Sequence, residues 1–167
     1  MNKIIVIGCP GSGKSTFSKQ LHKITNIPLF HLDMMFWNED KTTVERSVFL
    51  ERLSNVMEQN EWIIDGNYAS TMELRIVKCD TVIFLDYPLE TCLDGIKTRK
   101  GKSRSDMPWV EPENYDEEFI EFIKNYNSQS RPKVMELLKK YSNKNIFIFK
   151  NRSEADGFLQ KLNTHNR

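Results

Sequence analysis

The sequence predicts an α/β fold in three layers: a five-stranded parallel sheet with helices on both faces. Five short apolar runs rich in branched residues alternate with stretches of helical period. The runs are short and mostly apolar rather than alternating with polar residues, as in strands buried on both faces. A glycine-rich turn joins the first run to the first helical stretch.

The runs are Ile4 to Ile7, Pro28 to Leu32, Trp62 to Ile64, Thr81 to Leu85 and Asn145 to Phe149. Between them, Phe17, Leu21 and Ile24 share one helix face, as do Val44, Val48, Phe49, Leu53, Val56 and Met57. Phe119, Phe122, Ile123 and Tyr126 recur at similar spacing, followed by Val134, Leu137, Leu138 and Tyr141, and finally by Ala155, Phe158, Leu159 and Leu162. These stripes read as core packing, and the alternation calls for right-handed crossovers. One region departs from the pattern. Lys97, Arg99, Lys100, Lys102 and Arg104 form a basic run, and an acidic stretch broken by Pro108 and Pro112 follows it. It reads as an exposed excursion from the sheet.

A chain of 167 residues has room for one domain with one core. A formal net charge of +1 argues against nucleic acid or an anionic membrane as the main partner. No apolar run approaches the ~20 residues that span a bilayer, and the N-terminus reads as a strand rather than a signal peptide. Cys9, Cys79 and Cys92 show no paired spacing, which points to free thiols in a reducing cytoplasm. His22, His31 and His165 are scattered and read as surface or core residues.

The most specific signal is Gly8-Cys9-Pro10-Gly11-Ser12-Gly13-Lys14-Ser15, which meets the pattern G-x-x-x-x-G-K-[ST] between a strand and a helix. Its glycines let several backbone N–H groups point inward at phosphate oxygens, and the start of the next helix adds its positive dipole end. Lys14 supplies charge for the β- and γ-phosphates of a nucleoside triphosphate, Ser15 a hydroxyl for magnesium, and Thr16 a neighbour to the α-phosphate. Asp33, ~20 residues past the glycines, invites comparison with a dinucleotide fold. However, the third glycine of that pattern is missing at Thr16, and Lys14-Ser15 would have no purpose there.

Ligands of open parallel sheets gather at the carboxyl ends of the strands. There the sequence places Asp33, then Asp65-Gly66-Asn67-Tyr68, then Asp86, then Lys150-Asn151-Arg152-Ser153. Asp86 ends an apolar strand, as a magnesium-holding carboxylate does; a helix N-cap before Pro88 is the alternative. Asp33 suits an acceptor-activating carboxylate, a water-mediated magnesium contact or a cap. The Asp65 to Tyr68 turn suits gripping a second substrate, or serves simply as a turn. Phosphoryl transfer needs further cations, for which Arg75, Arg99, Arg104 and Arg131 are available; Arg99 and Arg104 sit where the excursion would close as a lid.

Together with His31-Leu32-Asp33, Phe36-Trp37, Trp62 to Tyr68, Arg75 and Val82 to Asp86, the glycine-rich loop resembles the adenylate-kinase-like P-loop proteins. Within them it is similar to the small group called DNA topology modulation proteins. The resemblance implies a nucleoside-monophosphate-kinase fold, with an acceptor-binding helical insert near residues 34–60 and a lid near residues 100–116. It also implies ATP at the loop, Arg99 or Arg104 near the adenine or phosphates, and the turn from Lys150 to Arg152 beside the adenine. The chain departs from true adenylate kinases in carrying Ser15 where they usually have glycine. The insert offers only Arg46 and Arg52 for a nucleotide acceptor.

The expected function is therefore ATP- and magnesium-dependent phosphoryl transfer to an unidentified small acceptor. Lys14, Asp33, Arg99, Arg104 and Arg131 would be catalytic. Gly8, Pro10, Gly11, Ser12, Gly13, Lys14, Ser15, Thr16, Lys150 and Arg152 would hold the nucleotide. Asp33, Asp65, Gly66, Asn67, Tyr68 and Arg75 would hold the acceptor, and Ser15 and Asp86 the metal. The alternatives are a nucleotide-dependent regulator linked to DNA topology and a simple ATPase. Oligomeric state is not legible in the sequence.

Overall fold

The computed structural model describes residues 1–165. Five strands, β1 (Lys3–Gly8), β2 (Leu29–His31), β3 (Trp62–Asp65), β4 (Thr81–Leu85) and β5 (Asn145–Phe149), form one sheet in the order β2-β3-β1-β4-β5. Every pairing is parallel. β1 is central: Ile5 is in register with Ile64 of β3 on one side and with Val82 of β4 on the other. The second run is shorter than its apolar stretch suggested. Leu32 begins a helical turn, α2 (Leu32–Phe36), which places Asp33 in its first turn rather than on the strand.

Alternate residues of β1 feed two separate cores, as strand geometry requires. Ile5 and Ile7 pack with α2, α3 (Arg46–Met57), α4 (Ala69–Lys78) and α7 (Arg131–Lys140). Ile4 and Val6 pack with α1 (Lys14–Thr25), α5 (Leu89–Lys97), α6 (Glu117–Asn125) and α8 (Arg152–His165). These four β1 side chains are fully buried. At roughly 1.5–3 kcal/mol for each buried aliphatic side chain, this strand is among the larger sources of stability. The three cysteines are free and buried.

Two expected core residues lie outside. In α3 the buried stripe is Phe49, Leu53, Val56 and Met57, and Val48 falls a helical step beyond it, exposed. In α6 only Ile123 is buried, while Phe122 is exposed and faces the mouth of the central cleft. Residues 98–116, between α5 and α6, form no regular element. They are not the solvated excursion their composition suggested, because Asp106 and Glu111 within them are buried.

The glycine-rich loop is held against α5 by backbone-to-backbone contact. A Cβ on Gly95 would lie 2.0 Å from the Gly11 carbonyl oxygen, and a Cβ on Gly11 would lie 2.0 Å from the Cys92 carbonyl oxygen. Gly95→Ala should thus reverse its usual sign. In an open helix it would stabilise by about 0.5–1 kcal/mol, but here we expect a lower melting temperature and weaker nucleotide binding, checked by thermal denaturation with and without ATP.

Candidate active site

β1 ends at Gly8, and the chain turns before α1 begins at Lys14. Gly13, the N-cap of α1, has φ 91°, a conformation that side-chain-bearing residues resist. The turn closes where Ser12 N–H donates to the Cys9 carbonyl at 3.1 Å. The Lys14 ammonium folds back to donate to the carbonyls of Gly8 (2.9 Å) and Cys9 (3.2 Å). Burial lowers its pKa, Arg99 lowers it further, and Cys9, Asp65 and Asp33 pull the other way.

A cavity of about 1190 Å³ opens above the loop. Pro10, Gly11, Gly13, Lys14, Ser15 and Thr16 form its base. Asp33, Phe36, Trp37, Gly66, Asn67 and Tyr68 line it on the side of β2 and β3, and Arg99, Arg104, Asp106, Trp109 and Glu111 come from residues 98–116. Arg152, at the start of α8, also borders it. Gly8 and Ser12 underlie the loop rather than line the cavity. Ser12 is buried, and its hydroxyl has no hydrogen-bond partner among the described residues.

On the β3 side the geometry converges on one carboxylate. Tyr68 O–H donates to Asp33 Oδ1 at 2.6 Å. Burial pushes the Asp33 carboxyl up, against the lowering effect of the Tyr68 hydrogen bond and the Lys14 charge. Tyr68 reaches it from a left-handed backbone conformation, φ 37°, that costs a residue other than glycine about 1–2 kcal/mol. Asn67 Oδ1 accepts from Gly8 N–H at 3.0 Å and so ties this turn to the phosphate loop. Asp65 is buried behind the turn, with both oxygens 2.9 Å from His31 Nδ1.

Arg75 is the support of this turn, not a wall of the cavity. It is fully buried, and its guanidinium donates to the carbonyls of Gly66 (2.9 Å), Asn67 and Tyr68 (3.3 Å). Burial lowers its pKa to about 10. The sequence signalled an arginine near the acceptor but not its direction, because α4 turns that face of the helix inward.

Residues 98–116 bring a group that sequence reading missed. Asp106 Oδ2 accepts from Ser15 Oγ and from Arg104, both at 2.6 Å, and Oδ1 lies 3.4 Å from Lys19 Nζ. Burial pushes its carboxyl up, but the Ser15 hydrogen bond and the charges of Arg104, Lys19 and His31 prevail and hold it at about 2. Arg104 also pairs with Glu111 at 2.9 Å, and Glu111 accepts from the Tyr115 hydroxyl at 2.9 Å. Arg99 is half-buried nearby, and that burial lowers its pKa, with Arg104 adding to the effect. In the sequence Asp106 stands between a basic run and prolines, with no motif to mark it.

Asp86, Arg131 and Lys150 are not brought to this cavity. They line a smaller cleft of about 380 Å³ together with Tyr87, Pro88 and Asn127. Asp86 accepts from Arg131 Nε and Nη2, both at 2.8 Å, and from Lys150 Nζ. Burial raises the Asp86 carboxyl, yet the hydrogen bonds and charges of these cations outweigh it and hold it below the usual range. The expected metal carboxylate is therefore committed to an ion-paired triad. Arg131 follows a π-helical turn, Tyr126–Ser130, that carries Asn127 into the same cleft.

A glycine-rich phosphate loop after the central strand of a β2-β3-β1-β4-β5 parallel sheet, facing buried acids and an arginine-bearing segment, defines a nucleotide-binding P-loop protein of kinase-like fold. The family model described as AAA domain matches residues 4–121, and the chain belongs to that family. A curated shikimate kinase from Rhodococcus jostii (strain RHA1) is 28% identical over 98 residues, which cover 50% of this chain and 58% of that enzyme, less than two thirds of its length. The solved shikimate kinase from Acinetobacter baumannii in complex with shikimate superposes with a TM-score of 0.65 at 16% identity, covering 97% of this chain and 90% of that one. The shikimate kinase from Bacteroides thetaiotaomicron gives 0.55 at 20% identity, over 97% and 96%. At these identities the structures establish a common fold. Among the described residues no helix is long and apolar enough to cross a membrane.

Two outcomes follow from these side-chain placements. Arg75→Met keeps the bulk but leaves the Gly66 and Asn67 carbonyls without this donor, while Thr71 still serves that of Tyr68, and should cost roughly 3 kcal/mol in chemical denaturation. For Asp86 the folded-state pKa lies below the ordinary 3.8, so its contribution is complete above that value and fades as pH falls through the depressed one. The melting-temperature gap between wild type and Asp86→Asn should therefore be full near neutrality and close in strong acid.

Proposed function

We propose that the protein is an ATP-dependent kinase that phosphorylates a hydroxyl-bearing small molecule held beside Asp33. The observation that carries this reading is the half-buried Asp33 carboxylate, hydrogen-bonded to Tyr68, in the same cavity as Lys14 and the phosphate loop. In this reading the acceptor hydroxyl gives its proton to Asp33 as its oxygen bonds to the γ-phosphorus. The bond to the bridging oxygen breaks, and ADP leaves with the electron pair. Loop N–H groups and Lys14 offset the charge on the phosphates, with Arg99 and Arg104 completing the field as residues 98–116 act as the lid. Phe36, Trp37, Tyr68 and Trp109 would shape the acceptor side of the cavity.

Magnesium fits the donor set. Ser15 offers a hydroxyl, and Asp33 and Asp106 offer hard carboxylate oxygens in the cavity. Among the described residues no group of three His, Cys, Asp or Glu is placed to hold a metal, which suits an ion that takes one or two carboxylates and completes its shell with phosphate and water. Bound there, it would neutralise charge on the β- and γ-phosphates.

The shikimate kinases that this chain is similar to support a small-molecule acceptor. A regulator acting on DNA without phosphoryl transfer, as the resemblance to topology modulation proteins suggests, would have no use for a tyrosine-bonded acid beside acceptor-sized space. Moreover, Arg99 and Arg104 of the basic run face the cavity.

ADP release measured across a panel of nucleosides, nucleotides and hydroxylated metabolites should reveal acceptor-dependent turnover; background rates throughout would overturn the kinase reading. Lys14→Ala should abolish ATP binding by calorimetry. Asp33→Asn should lower kcat by about 10²-fold or more with ATP affinity retained. Because burial raises the Asp33 pKa, the acid limb of the wild-type kcat/KM profile should fall above pH 3.8.

A further inference from the structure

The cavity already contains a carboxylate bonded to the hydroxyl expected to meet the metal. Ser15 Oγ and Asp106 Oδ2 are 2.6 Å apart. Adjacent ligand oxygens around magnesium, each about 2.05 Å from the ion at right angles, lie about 2.9 Å apart. The two atoms are therefore spaced nearly as neighbouring vertices of such a shell. When Ser15 donates its proton to Asp106, the lone pairs of the hydroxyl are free to face a cation. Asp106 is 2% exposed, and it reaches this position from an irregular segment whose own contacts set its path. Glu111 N–H donates to the Lys102 carbonyl at 3.0 Å, and Arg104 bridges Asp106 and Glu111.

We propose that Asp106 belongs to the magnesium site: it orients the Ser15 hydroxyl and joins the shell of the metal bound to ATP, directly or through one water. The segment 98–116 then carries a metal-site carboxylate to the phosphate loop, so occupancy by metal and nucleotide fixes the segment in place. The strand-end acid that sequence reading assigned to this task, Asp86, lies in a separate cleft with Arg131 and Lys150, away from Ser15. Arg104 and Lys19 limit the repulsion that a lone carboxylate would exert on the phosphates. This inference rests on the reading of the loop as an ATP site.

The test uses manganese as a paramagnetic substitute. Manganese affinity of the protein–ATP complex, read by electron paramagnetic resonance, is compared between wild type and Asp106→Asn, beside ATP affinity in excess chelator. We expect manganese affinity to fall about tenfold or more, with metal-free ATP affinity within about twofold of wild type. Unchanged manganese affinity overturns the proposal. So does unchanged metal affinity with tighter metal-free ATP binding, which would mark Asp106 as a stand-in that phosphate displaces. If Asp106→Asn does not fold, Asp106→Glu keeps the charge opposite Arg104 and Lys19 while shifting the oxygens by a methylene. It should show the same loss of manganese affinity, and wild-type affinity in it would reject the proposal. Failure of wild type to bind ATP, with or without metal, would instead refute the reading of the loop itself.

Discussion

The site depends on the complete enclosure of β1. Its side chains are buried on both faces and its backbone is paired along both edges, to β3 and to β4. A strand so placed has no unpaired groups until its pairing stops, at Val6 on the β3 edge and at Gly8 on the β4 edge. The first free N–H groups of the central strand therefore emerge at one point, on the sheet's carboxyl edge. The neighbouring strands run parallel to it and deliver their own ends there. The turn after β3 is joined to the loop by Asn67, and α5 after β4 abuts Gly11. The functional cavity is thus a consequence of topology before it is a matter of particular side chains.

Much of this was legible in sequence because it rests on local rules. All five strands, the loop and the helix that follows it are legible from periodicity and from a motif whose chemistry demands its residues. Acids at strand ends were equally visible, but their destinations were not. Asp33, Asp65 and Asp86 look alike in one dimension, each just beyond an apolar run. In three dimensions, Asp33 enters the cavity, Asp65 turns toward His31 behind it, and Asp86 meets Arg131, 45 residues away in the chain. Which cation reaches which carboxylate is decided by tertiary packing, and no local pattern encodes it. Arg75 illustrates the same limit: the sequence offers it as one more cation for the acceptor, but only the fold shows it inside, holding carbonyls. Asp106 was the least legible, since it lies in irregular chain and its partners Ser15 and Lys19 come from α1.

Charge in the cavity is balanced by burial rather than by number. The loop lysine and Arg99 have pKa values lowered by burial, whereas Asp33 is raised by it and Asp106 is held low by its partners. One acid is thus biased toward accepting a proton and the other toward remaining ionised, although both sit in the same cavity. Two carboxylates with pKa values moved in opposite directions can divide the work of proton acceptance and cation binding. The aromatic contacts among Phe36, Phe49 and Tyr68 fix the Tyr68 ring that makes the distinction at Asp33.

The meeting of Gly11 and Gly95 also constrains how the sequence can change over time. Gly95 tolerates no side chain because of the Gly11 backbone, Gly11 tolerates none because of the Cys92 backbone carbonyl in the same helix, and both glycines already carry the smallest residue there is. When two bulky groups collide, shrinking one can rescue the enlargement of the other, and the pair drifts together. Here that route is closed, since neither partner has anything left to give up. Variation at either position must wait for the whole of α5 to move away from the loop.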